Sequence, residues 1–223
     1  MRRFSIADWL FAGLLVWTVV VSAATIQREF FSPPRSVGAR NASHVASWRA
    51  LASVGFRRGR VDSPRSVVVF SDFECPYCRR FAAVLDSLHQ EHPEVLIVER
   101  HFPIVELHDA AFNAALAAEC AGKIGRYAEM RQFLYERRQL VANEQWGAVA
   151  AFAGVADTAS LVSCVRKQEY RARVDTDVAV AHRLGIDGTP STVINDSLYG
   201  GTMSLDVLET RLGLPAKSSS PRS

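Results

Sequence analysis

The feature that most constrains this sequence is a pair of cysteines placed where an apolar strand gives way to a helix. Residues 66–71 (SVVVFS) are largely apolar in succession, which predicts a strand buried on both faces of a sheet. Cys75 and Cys78 follow shortly after, and apolar residues then recur at helical spacing until Pro93. The rest of the chain must fold around this junction of strand, dithiol and helix.

The order of the remaining patterns predicts an α/β domain. A second β-rich run from Val95 to Val98 should lie parallel to the first strand through a right-handed crossover. The segment from Glu106 to Leu184 is helical in character, Ser191 to Ile194 returns to strand, Asn195-Asp196 turns, and Leu205 to Leu212 closes the fold as a helix. The helices expected inside the long segment span residues 110–121, 127–138, 144–152, 159–165 and 170–184.

The two cysteines of the motif have the spacing of a redox-active dithiol. Cys75 would lie at the helix N-terminus, where free N–H groups and the helix dipole stabilise a thiolate, and Cys78 lies one turn further on. We therefore expect Cys75 to be the nucleophile and Cys78 the resolving thiol. A zinc site is disfavoured because Cys120 and Cys164 stand alone, and a purely structural bridge over so short a loop would stabilise little.

The basic residues do not indicate a nucleic-acid partner. The formal net charge is only +3 at pH 7, and the arginines are scattered rather than gathered into one stripe. The densest basic cluster, residues 57–60 (RRGR), is predicted to be a solvated loop before the first core strand.

The N-terminus carries a hydrophobic segment. Arg2 and Arg3 precede an apolar run from Trp9 to Ile26, which as a helix would span about 27 Å, close to the hydrocarbon thickness of a bilayer. We expect residues 1–26 to be an uncleaved anchor, with a removed signal peptide as the alternative because residues 21–24 (VSAA) are small.

The rest of the chain divides into three parts. Residues 27–45 read as a linker, 46–214 as the folded domain and 215–223 as a disordered tail. The even count of four cysteines suits an oxidising compartment, so the domain is expected on the extracytoplasmic side of the cell membrane, or secreted if the N-terminal segment is cleaved.

Four motifs together resemble one known family. In chain order they are SDFECPYC (71–78), RHFPI (100–104) followed by His108, AAECAG (117–122) and LGIDGTPS (184–191). Over about residues 48–212 the chain resembles the DsbA-like thioredoxin-fold thiol:disulfide oxidoreductases. The resemblance implies a thioredoxin fold with a helical insertion, about residues 106–184, between the second and third core strands.

The resemblance also implies roles for further residues. Pro190 would be a cis-proline facing the dithiol, and Thr189 would present its backbone to a substrate chain, with Pro76 and Tyr77 completing the substrate-binding surface. An ordinary loop at 189–190 is the alternative.

A second implied feature lies in the helical segment. Cys120 and Cys164 match a structural disulfide of the family, and two free buried thiols are the alternative. His101 and His108 fall on family-like positions, where packing is expected rather than catalysis.

Two positions depart from the family pattern. Val69 stands where many members have a buried glutamate that exchanges the proton of the resolving thiol, and Glu74 is expected to point outward and not replace it. Tyr77 stands where strongly oxidising members often have histidine, which should make the disulfide less oxidising.

The sequence thus predicts an exported enzyme that forms disulfides in extracytoplasmic proteins. It should need no cofactor and no metal, act on exported proteins that contain cysteines, and be reoxidised by a membrane redox partner. Two alternatives remain open: a membrane-tethered reductase or isomerase, with the opposite electron flow, and a non-catalytic domain that holds unfolded chains or metal.

Overall fold

The computed structural model describes residues 43–215, and in this part of the chain the core is one mixed sheet. The strand order is β1-β6-β5-β3-β4-β2, with β3 and β4 parallel and every other neighbouring pair antiparallel. The strands are β1 (Ser43–His44), β2 (Phe56–Arg58), β3 (Ser66–Ser71), β4 (Leu96–His101), β5 (Ser191–Ile194) and β6 (Ser197–Gly200). The predicted α/β class is confirmed.

The helices cover both faces of the sheet and fill the segment between β4 and β5. They are α1 (Trp48–Ala52), α2 (Pro76–Glu91), α3 (Ala111–Gly122), α4 (Tyr127–Glu136), α5 (Arg138–Ala142), α6 (Trp146–Phe152), α7 (Thr158–Arg166), α8 (Arg171–Arg183) and α9 (Leu205–Leu212). The predicted helices of the long segment agree to within about two residues, except for α5: the predicted helix 127–138 reaches only its first residue, and residues 139–142 lie in no predicted helix.

The central strand β3 explains why its sequence is apolar throughout. Val67 and Val69 face the layer formed by α2 and α9, where they join Phe81 and Leu208. The alternate residues Val68 and Phe70 face the other layer, against α1 and α8. Burial on both faces is what a continuous apolar strand predicts, and it fixes the end of β3 where the dithiol begins.

The helical segment has its own core and is attached to the sheet by charge. Alanines along α3 are buried almost completely, which lets α4 and α7 approach closely. Three successive residues of β4 then hold helices on both faces: Glu99 bonds Arg131 of α4 at 2.6 Å, Arg100 bonds Asp177 of α8 at 2.7 Å, and His101 bonds Glu119 of α3 at 2.8 Å.

Cys120 of α3 and Cys164 of α7 are joined by a disulfide with a Cα–Cα distance of 6.1 Å. The bridge connects two helices of the insertion that are distant in sequence and already pack together. It lies in the segment that carries neither the dithiol nor the loop at 189–190.

The basic cluster at 57–60 differs from the prediction of a solvated loop. Residues Phe56–Arg58 form β2, paired with β4, and Arg58 is half-buried. Its guanidinium donates to Asp86 at 2.7 Å and to Glu99 at 2.9 Å. The prediction was wrong for Arg58 because its acidic partners lie far along the sequence, where a local charge pattern does not reveal them.

The described residues include part of the predicted linker but neither the predicted anchor nor most of the predicted tail. Ser43 and His44, inside the predicted linker, pair with β6, and Val45 is buried. The predicted anchor at residues 1–26 and the tail after Pro215 lie outside the described residues. Between residues 43 and 215 there is no helix with the length and apolar content required to span a bilayer.

Candidate active site

The dithiol lies at the junction of β3 and α2, where the sequence predicted it. Cys75 is the N-cap residue of α2 and Pro76 occupies the first turn, where its missing N–H costs no hydrogen bond. The amide of Cys75 donates to the carbonyl of Asp72 at 3.2 Å, which turns the chain from strand to helix. Both cysteines are free thiols, 5% exposed at Cys75 and 1% at Cys78.

The two thiols differ sharply in acidity. A hydrogen bond from the Cys78 side chain, assisted by the amides of Cys78 and Tyr77, lowers the pKa of Cys75 to about 6 although burial opposes the shift. Burial, with the neighbouring Cys75, raises the pKa of Cys78 well above its ordinary value. At neutral pH, Cys75 is therefore largely a thiolate and Cys78 a thiol.

The loop before β5 closes over the nucleophile. The Thr189-Pro190 peptide bond is cis, and the carbonyl oxygen of Thr189 lies 3.5 Å from Cys75 Sγ. The carbonyl of Pro190 accepts the amide of Gly201, and the Ser191 hydroxyl donates to the carbonyl of Gly188. The loop at 189–190 thus lies against the dithiol, and hydrogen bonds of its own backbone and of Ser191 anchor it.

Exposed apolar side chains lie on the dithiol motif and on the loop after β4. Tyr77 is 51% exposed, with the Arg80 guanidinium 4.6 Å from the centre of its ring. Val105 and Leu107, in the loop after β4, are also exposed. That loop is attached to the dithiol segment, since the Ile104 amide donates to the Asp72 carboxylate at 2.9 Å.

Asp72, which the sequence analysis did not single out, and His108, for which it expected packing, lie next to the dithiol. The Asp72 carboxylate is buried and pairs with His108 Nδ1 at 2.8 Å, while the Asp72 amide lies 3.4 Å from Cys78 Sγ. An acidic residue at the end of an apolar strand, directly before a Cys-x-x-Cys motif, was the available signal. Its histidine partner could not be identified from sequence distance.

Glu74 differs from the expectation that it points outward. It is half-buried, and its carboxylate accepts the amide of Ala110 at 2.7 Å, next to the start of α3. The backbone amides near the first turn of α3 lack partners within that helix, and a carboxylate nearby satisfies one of them. Glu74 therefore connects the dithiol loop to the helical insertion.

Val69, at the position where many family members have a buried glutamate, is part of the core. Val69 is buried, and its neighbours across the sheet are Glu99 in β4 and Thr192 in β5. Glu99 is engaged by Arg131 at 2.6 Å and Arg58 at 2.9 Å. The Thr192 hydroxyl is buried without a hydrogen-bond partner.

The described part of the chain has no cluster of side chains arranged as a metal site. Among residues 43–215, no group of three or more His, Cys, Asp or Glu side chains is arranged to hold a metal ion. Of the two histidines at family-like positions, His101 is buried against Glu119, and His108 lies against the dithiol segment through Asp72. The prediction of a packing role for His108 thus understates its closeness to the dithiol.

Comparison with known proteins agrees with this geometry. A family model described as thioredoxin matches residues 52–212. The chain belongs to the thioredoxin family. Within it, the helical insertion between β4 and β5 gives this thioredoxin-family protein a DsbA-like fold.

Solved structures share the fold over most of the described chain. A thioredoxin-like oxidoreductase from Silicibacter pomeroyi DSS-3 has 29% sequence identity and a TM-score of 0.66, covering 75% of this chain and 96% of that one. Alpha-DsbA1 from Wolbachia pipientis has 19% identity and a TM-score of 0.60, covering 70% and 90%. At 19% identity, the likeness to alpha-DsbA1 shows a shared fold and no more.

The curated relatives are much longer proteins. One is Na(+)/H(+) antiporter NhaA 1 of Mycolicibacterium gilvum, which is 30% identical over 178 residues, covering 78% of this chain and 28% of the antiporter. The chain thus spans less than a third of that relative's length. The transport named for the antiporter is not carried over to this chain.

Proposed function

We propose that this thioredoxin-family protein forms disulfides in extracytoplasmic proteins. In the oxidised protein, a substrate thiolate attacks Cys75 Sγ, and the Cys75–Cys78 bond breaks to leave Cys78 as a thiolate. A second substrate thiolate then attacks the substrate sulfur of this mixed disulfide, forming the substrate disulfide and releasing Cys75 as a thiolate. Two electrons pass from the substrate to the Cys75–Cys78 disulfide, which becomes the dithiol.

The observation that carries this direction is the acidity of Cys75. Environments that stabilise the Cys75 thiolate stabilise the reduced protein and make Cys75 a good leaving group, and both effects favour oxidation of the substrate. We propose Pro76, Tyr77, Thr189 and Pro190 as the substrate-binding surface, because they flank Cys75 on either side.

The direct test is the reduction potential of the Cys75/Cys78 pair, measured by equilibration with glutathione, together with oxidation of reduced ribonuclease A. A value above about −200 mV with faster ribonuclease oxidation than a Cys75→Ser control supports the proposal. A value near about −270 mV would instead support the reductase.

The reductase or isomerase direction is favoured by one observation. Tyr77 is the exposed residue between the two cysteines, and it brings no positive charge to the Cys75 thiolate. The same potential measurement decides between the directions. Turnover in an insulin-reduction assay above the Cys75→Ser control would exclude the non-catalytic holder of unfolded chains or metal.

An extracytoplasmic location is supported by the Cys120–Cys164 disulfide, since such bonds persist mainly in oxidising compartments. We propose that residues 1–26 tether the domain to the membrane and that a membrane redox protein reoxidises the dithiol. Fractionation of the full chain tests the tether: recovery of the domain in the soluble exported fraction, shortened at its N-terminus, would favour secretion after cleavage.

A further inference from the structure

The strongest unassigned feature of the site is the hydrogen-bonding centre formed by the Asp72 carboxylate. One oxygen accepts the amide of Glu74 at 2.8 Å. The other accepts the amide of Ile104 at 2.9 Å and contacts Nδ1 of His108 at 2.8 Å. A carboxylate only accepts hydrogen bonds, so Nδ1 of His108 carries the proton in this contact.

These contacts join three segments that surround the dithiol. Asp72 directly follows β3, Glu74 precedes the nucleophile, and residues 104–108 belong to the loop after β4. The Asp72 carboxylate is buried whereas the His108 side chain is 19% exposed, so the histidine forms the outer end of the pair. The buried carboxylate thereby fixes the backbone at residue 72 from several directions.

The backbone at residue 72 faces the resolving thiol. The Asp72 amide donates to Cys78 Sγ at 3.4 Å, which is within the range of hydrogen bonds to sulfur. A hydrogen bond to the charged form of a group favours ionisation. For Cys78, whose buried position opposes ionisation, this amide is a source of thiolate stabilisation that the side chain at position 69 cannot supply.

We propose that Asp72, held by His108, is a positioning residue for the resolving step: it keeps its own amide directed at Cys78 Sγ and so stabilises the Cys78 thiolate. The inference rests on the dithiol exchange proposed above, in which Cys78 leaves as a thiolate when the mixed disulfide forms. Attack of Cys78 on the mixed disulfide is the reverse of that step and depends on the same thiolate. The other titratable side chains next to Cys78 are Cys75 and Tyr135, whose hydroxyl bonds Ser71 at 3.2 Å.

The two halves of the exchange can be separated with dithiobis-nitrobenzoate and the reduced full-length protein. The Cys75 thiolate attacks the reagent, which forms a mixed disulfide and releases one thionitrobenzoate. Cys78 then loses its proton to solvent and attacks Cys75 Sγ, which forms the protein disulfide and releases the second thionitrobenzoate. Stopped-flow absorbance therefore reports Cys75 in the first phase and Cys78 in the second.

The informative variant is Asp72→Asn, which keeps the size of the side chain but replaces one acceptor oxygen with a donor. We expect the second phase to slow by about tenfold or more, as for loss of a hydrogen bond to a charged group, and the first phase to change by less than about threefold. The pH at which the second phase reaches half its maximal rate should move upward.

Two His108 variants separate positioning from charge. His108→Gln retains a side-chain donor for Asp72 and should keep the second phase within about threefold of wild type, whereas His108→Phe should slow it like Asp72→Asn. Glu119→Gln is the matched control, because it alters another partly buried histidine–carboxylate pair, with His101, whose carboxylate lies on α3 and not next to Cys78. Its second phase should be unchanged.

Each other outcome has a distinct meaning. An unchanged second phase in Asp72→Asn, or equal slowing of both phases in that variant and in Glu119→Gln, would overturn the role of Asp72. If Asp72→Asn does not fold, the two His108 variants decide, and equal rates in them would overturn it. Release of only one thionitrobenzoate by wild type would instead contradict the proposed dithiol exchange itself.

Discussion

Cys75 and Cys78 lie within one turn of the same helix, but their surroundings move their pKa values in opposite directions. The lowered pKa of Cys75 stabilises the reduced fold. That contribution is fully present above the ordinary cysteine value of 9.0 and is lost as the pH falls to about 6. The oxidised protein has no thiol at this position, so the effect belongs to the redox equilibrium.

The first prediction is a change of slope in the reduction potential. Below the Cys75 pKa of about 6, reduction takes up two protons, and above it only one. The potential should fall by about 59 mV per pH unit below that point and by about 30 mV above it. Glutathione equilibria between about pH 5 and pH 8 measure this, and a single uniform slope would contradict an acidic Cys75.

A second prediction concerns Val69. Val69→Glu should speed the attack of Cys78 and weaken its dependence on pH, because a carboxylate beneath the dithiol can accept the thiol proton. The variant should also be less stable, since a buried carboxyl is costly and its own pKa rises. The unpartnered hydroxyl of Thr192, opposite Val69, offers the new carboxyl one hydrogen bond.

Stopped-flow resolution of the mixed disulfide from about pH 6 to pH 9 tests the role of position 69. Val67→Glu is the control, because Val67 faces the same layer but lies further from the dithiol end of β3. It should lose stability without gaining rate. Fast, pH-independent resolution in the wild type would show that Cys78 is already served by another base or water.

At the scale of secondary-structure elements, one buried charge cluster joins four of them. Arg58 of β2, Asp86 of α2, Glu99 of β4 and Arg131 of α4 lie within hydrogen-bonding distance of one another in pairs. Glu99 is buried and contacts both arginines, whereas Asp86 is partly exposed. Loss of Glu99 would therefore leave the partly exposed Asp86 as the remaining carboxylate for the buried guanidinium of Arg131 and the half-buried one of Arg58.

We predict that Glu99→Gln lowers the free energy of unfolding by about 3–5 kcal/mol, as is usual when one partner of a buried ion pair is removed. Asp86→Asn, the more exposed partner in the same cluster, should cost about 1 kcal/mol or less. Urea unfolding of both variants provides the comparison. Equal losses would mean that burial of Glu99 does not determine the strength of the cluster.

Removal of the disulfide between α3 and α7 should change the stability of the fold but not the redox chemistry of the dithiol. Replacing Cys120 and Cys164 with Ala should lower the free energy of unfolding by about 2–4 kcal/mol, because an unfolded chain gains freedom when the loop is opened. The reduction potential of the Cys75/Cys78 pair should hardly change, since the bridge lies within the helical insertion. A large shift in that potential would refute a merely structural bridge.

Across the whole molecule, the sequence predicted what depends on local pattern. The apolar run of β3, the dithiol after it and the succession of helices to Leu184 follow from periodicity, which is read within a few turns of chain. The sequence also predicted that Thr189 and Pro190 lie next to the dithiol, but only through resemblance to a family. The structure adds the contact of the Thr189 carbonyl with Cys75.

What the sequence did not predict depends on pairs that are distant along the chain. Strand β2 is only three residues long, too short for an alternating pattern, and the partners of Arg58 lie at positions 86 and 99. Asp72 and His108 likewise meet only after β4 and its loop are in place. A short stretch of sequence around Arg58 or Asp72 does not contain its partners. The sequence therefore predicted a solvated Arg58 and no role for Asp72.

Strand β4 shows what this arrangement means for mutational tolerance. Glu99, Arg100 and His101 are adjacent in sequence, yet each holds a different helix of the insertion, and all three are buried. Most buried strands accept one apolar residue for another, but a change at any of these three positions would deprive a charged or polar partner in a helix of one of its contacts. Residues 99–101 should therefore vary slowly among relatives of this protein, although none of the three belongs to the dithiol.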